Sequence, residues 1–479
     1  AYTGIDLINN TISDEEIQHE YIYNSRYSKL FRNGLSVDTK EKSKYNAFNT
    51  KIIICVDSKR SNIIFRNIEK SFNTMAGDNK FKAVKNSNYK NVLCSKELSQ
   101  IIQLPTKYYQ ENYNINNIDN REVEIPRQLL KGDIPIGVAQ HKGIVKKAYW
   151  PNNKNILSLP KIVIGPMGAG KSEYTKNFAV KGYKKGDSII VFDYIKNCEL
   201  SNDIAKEVDP IVIDLSKHEN LFALAYPEIE IPCDRWGKLR VANILARQVE
   251  YLINSLSEEP LTARMGRYLD AASKVVFINK NAKVSDVLNV LTNWKIRNEY
   301  IRKAKYSGVF DEDDMEIVDL ETLHERDKEG KIIGTRESKI EGIIDRISIL
   351  MKDIYLRTMA KSDINYEHNF CKWMDEGKAI LIQMPENVFT SKQVKDTIVT
   401  YFMSRIWLAT LQRNDHDKVC HVIDDEIHQV PTAASLVANI ITEARKFGLD
   451  FYFTIHYLKQ LKKLHDSIRS AGASYMLLA

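Results

Sequence analysis

Lys161-Ile162-Val163-Ile164-Gly165-Pro166-Met167-Gly168-Ala169-Gly170-Lys171-Ser172 is the stretch from which the fold of this chain can be read. Ile162, Val163 and Ile164 are β-branched, as in a short buried strand. Gly165–Ser172 match GxxxxGK[ST] in full, and the residues from Lys171 onward have helical character. Strand, glycine-rich turn and helix form the context in which this pattern is a phosphate-binding loop. Glycines let backbone N–H groups turn inward and cradle phosphates, helped by the positive end of the following helix. Lys171 places a point charge against the β and γ phosphates, and Ser172 offers an oxygen to Mg²⁺. The expected ligands are ATP and Mg²⁺, contacted by Gly165, Pro166, Met167, Gly168, Ala169, Gly170, Lys171 and Ser172. A chance glycine-rich turn would leave the flanking strand and helix unexplained.

Beyond the loop, Ser188–Phe192 and Pro210–Asp214 read as strands, and Lys171–Gly182 and Leu200–Val208 as helices. Such βαβ alternation predicts a parallel sheet. Strand character returns at Lys378–Met384, Val419–Asp424 and Asp450–Thr454, with amphipathic helices at Val394–Leu411 and Ala434–Phe447 between them. From about 238 to 360 the period is helical; Val241, Ile244, Leu245, Val249 and Leu252 fall on one face. The charged stretch Asp311–Glu337 reads as exposed. Its acids do not make a calcium loop, because Met315 takes a ligand position and Glu316 the glycine position. Ile134–Tyr149 reads as a hairpin leading into the α/β part, and Lys51–Val56 and Ser61–Met75 as a strand and a helix before it.

The chain has 479 residues, 43% hydrophobic and 27% charged, with a net charge of +7. That size predicts two or three domains and the composition excludes a disordered protein. The mild positive charge permits nucleic acid or an anionic surface as partner and equally serves solubility. The basic stretch Lys59, Arg60, Arg66, Lys70, Lys80, Lys82, Lys85 and Lys90 reads as a solvated face. None of the six cysteines forms a CxxC pair, against a zinc or redox motif and in favour of a reducing, cytoplasmic setting. No apolar run is long enough for a membrane span. Ala1 at the start and the apolar Met476–Ala479 at the end, which reads as an interrupted strand, suggest a fragment; a membrane anchor elsewhere is left open.

A phosphate loop needs an acidic partner at the end of another buried strand. Val419–Glu426 supplies it: Asp425 is assigned to Mg²⁺ through water and Glu426 to polarising the attacking water. Whether Asp424 or Asp425 faces the metal depends on register; Asp425 is chosen because it sets metal binding and base function side by side. Asp193 ends a strand at the carboxyl edge, where open α/β sheets bind ligands. It either assists the nucleotide or caps the next turn.

Together these residues resemble the HerA/FtsK branch of ring-forming P-loop DNA motors, most of all TraG-like type IV coupling proteins and related conjugation ATPases. Ile164–Ser172, Ser188–Asp193, Ile423–Gln429 and Glu443–Leu449 carry the resemblance, over roughly 135–233 and 370–479, with faint likeness around Leu93–Pro105. It implies an α/β fold: a RecA-like motor in two parts, 134–233 and 370–479, truncated at its end, with an inserted all-helical domain at 234–369 and a small α+β region at 1–133 of unassigned role. The resemblance also implies hexamers with nucleotide between neighbours. Arg445 then acts across the interface on the γ-phosphate, or is simply a cation at a helix C-terminus capped by Gly448. Where the family carries Gln after the following strand, this chain has His456, which can still donate towards a γ-phosphate or water.

The implied function is an ATP-driven DNA translocase in conjugative transfer, at the cytoplasmic face of a membrane-associated secretion complex. Alternatives are a secretion ATPase acting on protein and a nucleotide-binding scaffold. Lys274, Lys280, Lys283, Lys295, Arg297, Arg302, Lys303 and Lys305 are either DNA contacts or a solvated helix face. Lys171→Ala is expected to abolish tight ATP binding; unchanged affinity in a titration with a fluorescent ATP analogue would remove the loop's assignment.

Overall fold

Strands covered on both faces carry apolar residues at nearly every position rather than every second one, and the six apolar runs between residues 161 and 455 do so. The computed structural model describes residues 2–11, 45–55, 60–74, 91–101, 124–141, 143–462 and 464–478. They fall into two compact units, Ala1–Arg121 and Glu122–Ala479. In the first, β1 (Tyr2–Thr11), β2 (Ala47–Cys55) and β3 (Asn91–Cys94) make an antiparallel sheet in that order, accompanied by α1 (Ser61–Thr74) and α2 (Ser95–Ile101). Arg60, Arg66 and Lys70 are exposed. Lys59, Lys80, Lys82, Lys85 and Lys90 of the basic stretch lie outside the described residues, as do Val56, Met75, Ala479 and the end of Leu93–Pro105.

The second unit opens with a hairpin, β4 (Ile134–His141) and β5 (Ile144–Trp150). Then come β6 (Lys161–Ile164), α3 (Lys171–Lys185), β7 (Ser188–Asp193), α4 (Glu199–Ala205) and β8 (Pro210–Asp214). The insert holds α5 (Arg235–Asn254), α6 (Ala263–Phe277), α7 (Val284–Thr292), α8 (Trp294–Tyr306), α9 (Met315–Thr322), β9 (His324–Arg326), β10 (Ile332–Thr335), α10 (Glu341–Lys352) and α11 (Ile354–Lys361). The chain returns through α12 (Phe370–Glu376), β11 (Ala379–Gln383), α13 (Lys392–Gln412), β12 (Cys420–Asp425), α14 (Pro431–Ala444), β13 (Leu449–Ile455), α15 (Leu464–Ser470) and β14 (Ser474–Leu477).

Seven strands form one sheet in the order β14-β6-β13-β12-β7-β11-β8, every neighbouring pair parallel. The α/β fold read from the loop is therefore present, and the closing apolar run is an edge strand against β6. Alternate residues feed two cores. Val163, Val191, Ile423 and Tyr452 pack under Phe178 and Ala179 of α3. Ile162, Phe192, Val422 and Phe453 face the other way, into a core continuous with Val249, Leu269 and Leu288 of the insert.

Two expectations need amendment. The insert is helical except for the ribbon of β9 and β10, which lies inside the charged 311–337 stretch. Helix α13, expected to be amphipathic, is buried continuously from Val394 to Thr410. It lies against α14, α12 and α5, so no face is left for water. Its charged residues Asp396 and Arg405 are matched instead, while the hydroxyls of Thr400 and Ser404 are buried without a partner among the described residues. Asp396 accepts from the N–H groups of Thr432 and Ala433 and so caps α14.

Arg405 of α13 grips Glu228, just before the insert, and donates to the carbonyl of His368 at 2.7 Å, at the insert's end. One guanidinium thus ties both crossings of the insert to the motor. Glu228→Ala leaves that charge buried without its counterion. A loss of about 3–5 kcal/mol is expected in chemical denaturation; a loss below about 1 kcal/mol would show that the ion pair does not fasten the insert.

Candidate functional site

At the carboxyl edge of the sheet the loop from Gly165 leads into α3. Gly168 and Gly170 hold φ of +80° and +83°, the left-handed conformation that turns successive N–H groups to one side. Gly165 is needed for space: a Cβ there would stand 2.9 Å from the Leu478 carbonyl oxygen. Pro166 has no N–H to offer, so it shapes the loop without donating to a ligand. Met167 stands 87% exposed at the tip. The Lys171 ammonium donates to Gly165 O at 2.8 Å and Pro166 O at 3.1 Å.

The pleat settles the acid pair. Asp425 shares a face with Ile423 and therefore with α3, whereas Asp424 points to the opposite core. There Asp424 accepts from Tyr194, and its other oxygen is buried without a partner among the described residues. Burial first, then the Asp425 and Glu426 charges, raises its pKa well above the carboxylate range. Asp425 bonds Thr454, its register partner on β13. Burial pushes the Asp425 pKa up to about 7, with Glu426 and Asp193 adding to the rise and Lys171 and His456 opposing it.

β13 lies between β6 and β12, so the residue leaving its carboxyl end stands between the loop and the acids. That residue is His456. Its Nδ1 is 3.2 Å from Lys171 Nζ and its Nε2 is 3.0 Å from a Glu426 oxygen. An ammonium only donates, so Nδ1 accepts and Nε2–H donates to Glu426. Gln429 donates to the second Glu426 oxygen. The Glu426 backbone sits at φ +70°, a left-handed conformation that costs a non-glycine residue of order 1–3 kcal/mol.

Lys171, Ser172, Asp193, Asp425, Glu426 and His456 line one cavity of about 470 Å³. Lys176, Lys196, Glu199 and Asp203, which the motifs do not mark, complete its outer wall. Asp193 caps as well as lines. It accepts from Ser201 N at 2.8 Å and Ile195 N at 3.4 Å, and burial raises its pKa against these bonds. Arg445 is not brought here. It is exposed, just before β13, and the seven residues of that strand separate it from the cavity by about 20 Å.

Gln429, Thr454 and Gln460 were not marked as site residues by sequence reasoning. Only the spacing of Gln429, three residues after Glu426, offered a signal. The donor set fits a nucleotide with Mg²⁺. An inward-turned backbone, an ammonium, an exposed Ser172 hydroxyl and the Asp425 carboxylate are together, and no acid or histidine cage for a metal exists among the described residues. Mg²⁺ characteristically takes one or two protein oxygens and completes its shell with phosphate and water.

No protein-family model matches the chain, and no curated protein matches it significantly. Among solved structures, the unbound bacterial conjugative coupling protein TrwBdeltaN70 aligns with a TM-score of 0.46 and 13% identity, over 72% of this chain and 72% of its own. The plasmid coupling protein TrwB in complex with ADP and Mg²⁺ aligns at 0.44 and 13%, over 68% and 71%. VirB4 of Thermoanaerobacter pseudethanolicus aligns at 0.40 and 13%, over 67% and 77%. The coupling proteins are of the kind that the motifs of this chain resemble.

The raised Asp425 pKa has a consequence for stability. The unfolded carboxyl releases its proton near pH 4, the folded one near 7, so the folded state binds more protons between those values. The contribution of Asp425 to stability therefore falls as pH rises through that window. In nucleotide-free protein with EDTA, Asp425→Asn should raise Tm at pH 7.5 and leave it unchanged at pH 4. An equal shift at both values would show that Asp425 is not held protonated.

Proposed function

We propose that the chain is an ATPase that moves a macromolecule, with DNA as the favoured substrate, in conjugative transfer or type IV secretion. The observation that carries the catalytic part is the convergence of Lys171, His456, Glu426 and Asp425 in one cavity behind a phosphate-binding turn. Lys171 exchanges its contacts with the loop carbonyls for phosphate oxygens of ATP. Ser172 and Asp425 are the residues that would hold Mg²⁺, which would supply neutralisation of phosphate charge. Glu426, its carboxylate aimed by His456 and Gln429, accepts a hydrogen bond from the attacking water and orients it. Asp193 keeps α4 in place along the cavity wall.

Arg445 lies too far along the sheet to reach nucleotide in its own chain. In this reading it serves the neighbouring copy of a hexamer, stabilising charge on the γ-phosphate. The DNA preference rests on the family resemblance. The insert itself gives a protein substrate some support, because its cations are largely matched. Lys274 pairs with Asp270 and Glu316, Lys303 with Glu299, Lys305 with Glu321, and Arg297 is fully buried against helix carbonyls. No helix among the described residues is long and apolar enough to cross a membrane.

Glu426→Gln should bind ATP with near-normal affinity and lose turnover by about a hundredfold or more; near-normal hydrolysis would show that another group orients the water. ATPase rates with and without single- and double-stranded DNA separate the substrates. Strong stimulation supports DNA, indifference supports protein, and binding without turnover supports a scaffold.

A further inference from the structure

Two turns leave the carboxyl edge side by side. One follows β12 and carries Glu426; the other follows β13 and carries His456. Catalytic use of Glu426 requires these turns to keep a fixed spacing, since the 3.0 Å His456–Glu426 bond is the contact from the second turn that aims the carboxylate, beside Gln429 of its own turn. Neither turn is rigid by composition. The first contains the strained Glu426, and the second continues through Tyr457 and Leu458, 59% and 43% exposed, to Lys462 at φ +46°.

Gln460 joins them. Its Oε1 is 2.6 Å from the backbone N of His456 and 3.2 Å from that of Tyr457. Both of those groups only donate, which fixes the orientation of the amide. Nε2 therefore points the other way, to His428 Nε2 at 3.1 Å. His428 belongs to the one-turn segment Ile427–Gln429 immediately after Glu426. Burial holds its pKa below the ordinary histidine value, so the ring is neutral and Nε2 can accept. Capping the short helix Leu458–Leu461 explains the contacts of Oε1. It does not require the bond to His428, which reaches 32 residues back along the chain.

We propose that Gln460 is a positioning residue for hydrolysis: through His428 it straps the turn after β13 to the turn after β12 and so sets the direction in which Glu426 presents its carboxylate. The proposal rests on the ATPase reading above. His428 and Gln460 contact each other rather than the reacting atoms, and their effect passes entirely through His456 and Glu426.

The test is a double-mutant cycle of Gln460→Ala, His428→Ala and the pair in the full chain, reading kcat, KM, affinity for a fluorescent ATP analogue, and Tm. His428→Ala keeps the cap on His456 and removes only the strap, so it stands even if Gln460→Ala folds poorly. Each single change should lower kcat about tenfold to a hundredfold, the scale on which small misplacements of reacting groups act. KM and nucleotide affinity should stay within about twofold, and the double variant should be no slower than the slower single one. His428→Asn, which restores an acceptor oxygen, should recover part of the rate. Additive losses, unchanged kcat, or a lower Tm with normal kcat would overturn the strap while leaving the ATPase reading intact. Wild-type chain that binds ATP without hydrolysing it would overturn that reading, and the strap with it.

Discussion

The site depends on β13 being hydrogen-bonded between β6 and β12. A strand inserted between two others brings its own two ends to whatever those strands build. At the carboxyl edge this places His456 between Lys171 and Glu426 and sets Thr454 against Asp425. At the amino edge the same three strands and β7 are locked by a buried charge chain under α3. Lys161 bonds Asp450 at 2.8 Å, Asp450 bonds His421 at 2.6 Å, and His421 reaches Asp187 at 3.2 Å. Burial lowers the Lys161 pKa while Asp450 works against the fall. A slip of one residue in any of these strands would break this chain, and a slip of β12 would turn Asp425 away from the loop.

The carboxyl edge gathers groups that oppose one another. Asp425, Glu426 and Asp193 crowd negative charge into a half-closed space, and burial raises Asp425 until it titrates near neutrality. The left-handed Glu426 adds backbone strain. Such costs persist where surrounding contacts over-determine the geometry, and here they do. Glu426 N–H donates to Thr454 O at 3.3 Å, its carboxylate accepts from His456 and Gln429, and Gln460 holds the next turn. A cation bound beside Asp425 would relieve the repulsion that the folded chain otherwise carries, so ligand binding and stability are coupled through the same oxygens.

The insert shows why a run of lysines and arginines is a weak guide to a binding face. Helical and loop neighbours supplied acids for Lys274, Lys283, Lys303 and Lys305, half of the eight, and Arg297 went inward to close the carbonyls ending α7. Helix α13 shows the converse. A helix enclosed on every side needs partners for its ionic groups, and Arg405 and Asp396 find them in Glu228, His368 and the start of α14. In both cases the outcome lay with residues distant in the chain.

What the sequence by itself determined was local: the phosphate-binding turn, six of the seven strands and part of the closing one, the long helices and the Asp-Glu strand end. Each follows from chemistry within a few residues, where periodicity and glycine conformations leave little choice. Tertiary structure decided which acid faces the loop, because the pleat assigns faces only once α3 is known to cover one of them. It gave Asp193 a capping role beside its place in the cavity wall, set Arg445 apart from its own chain's cavity, and wired His456 to both Lys171 and Glu426. Those outcomes depend on which strands become neighbours, and neighbours across a parallel sheet are set by long-range packing that no short stretch of sequence records.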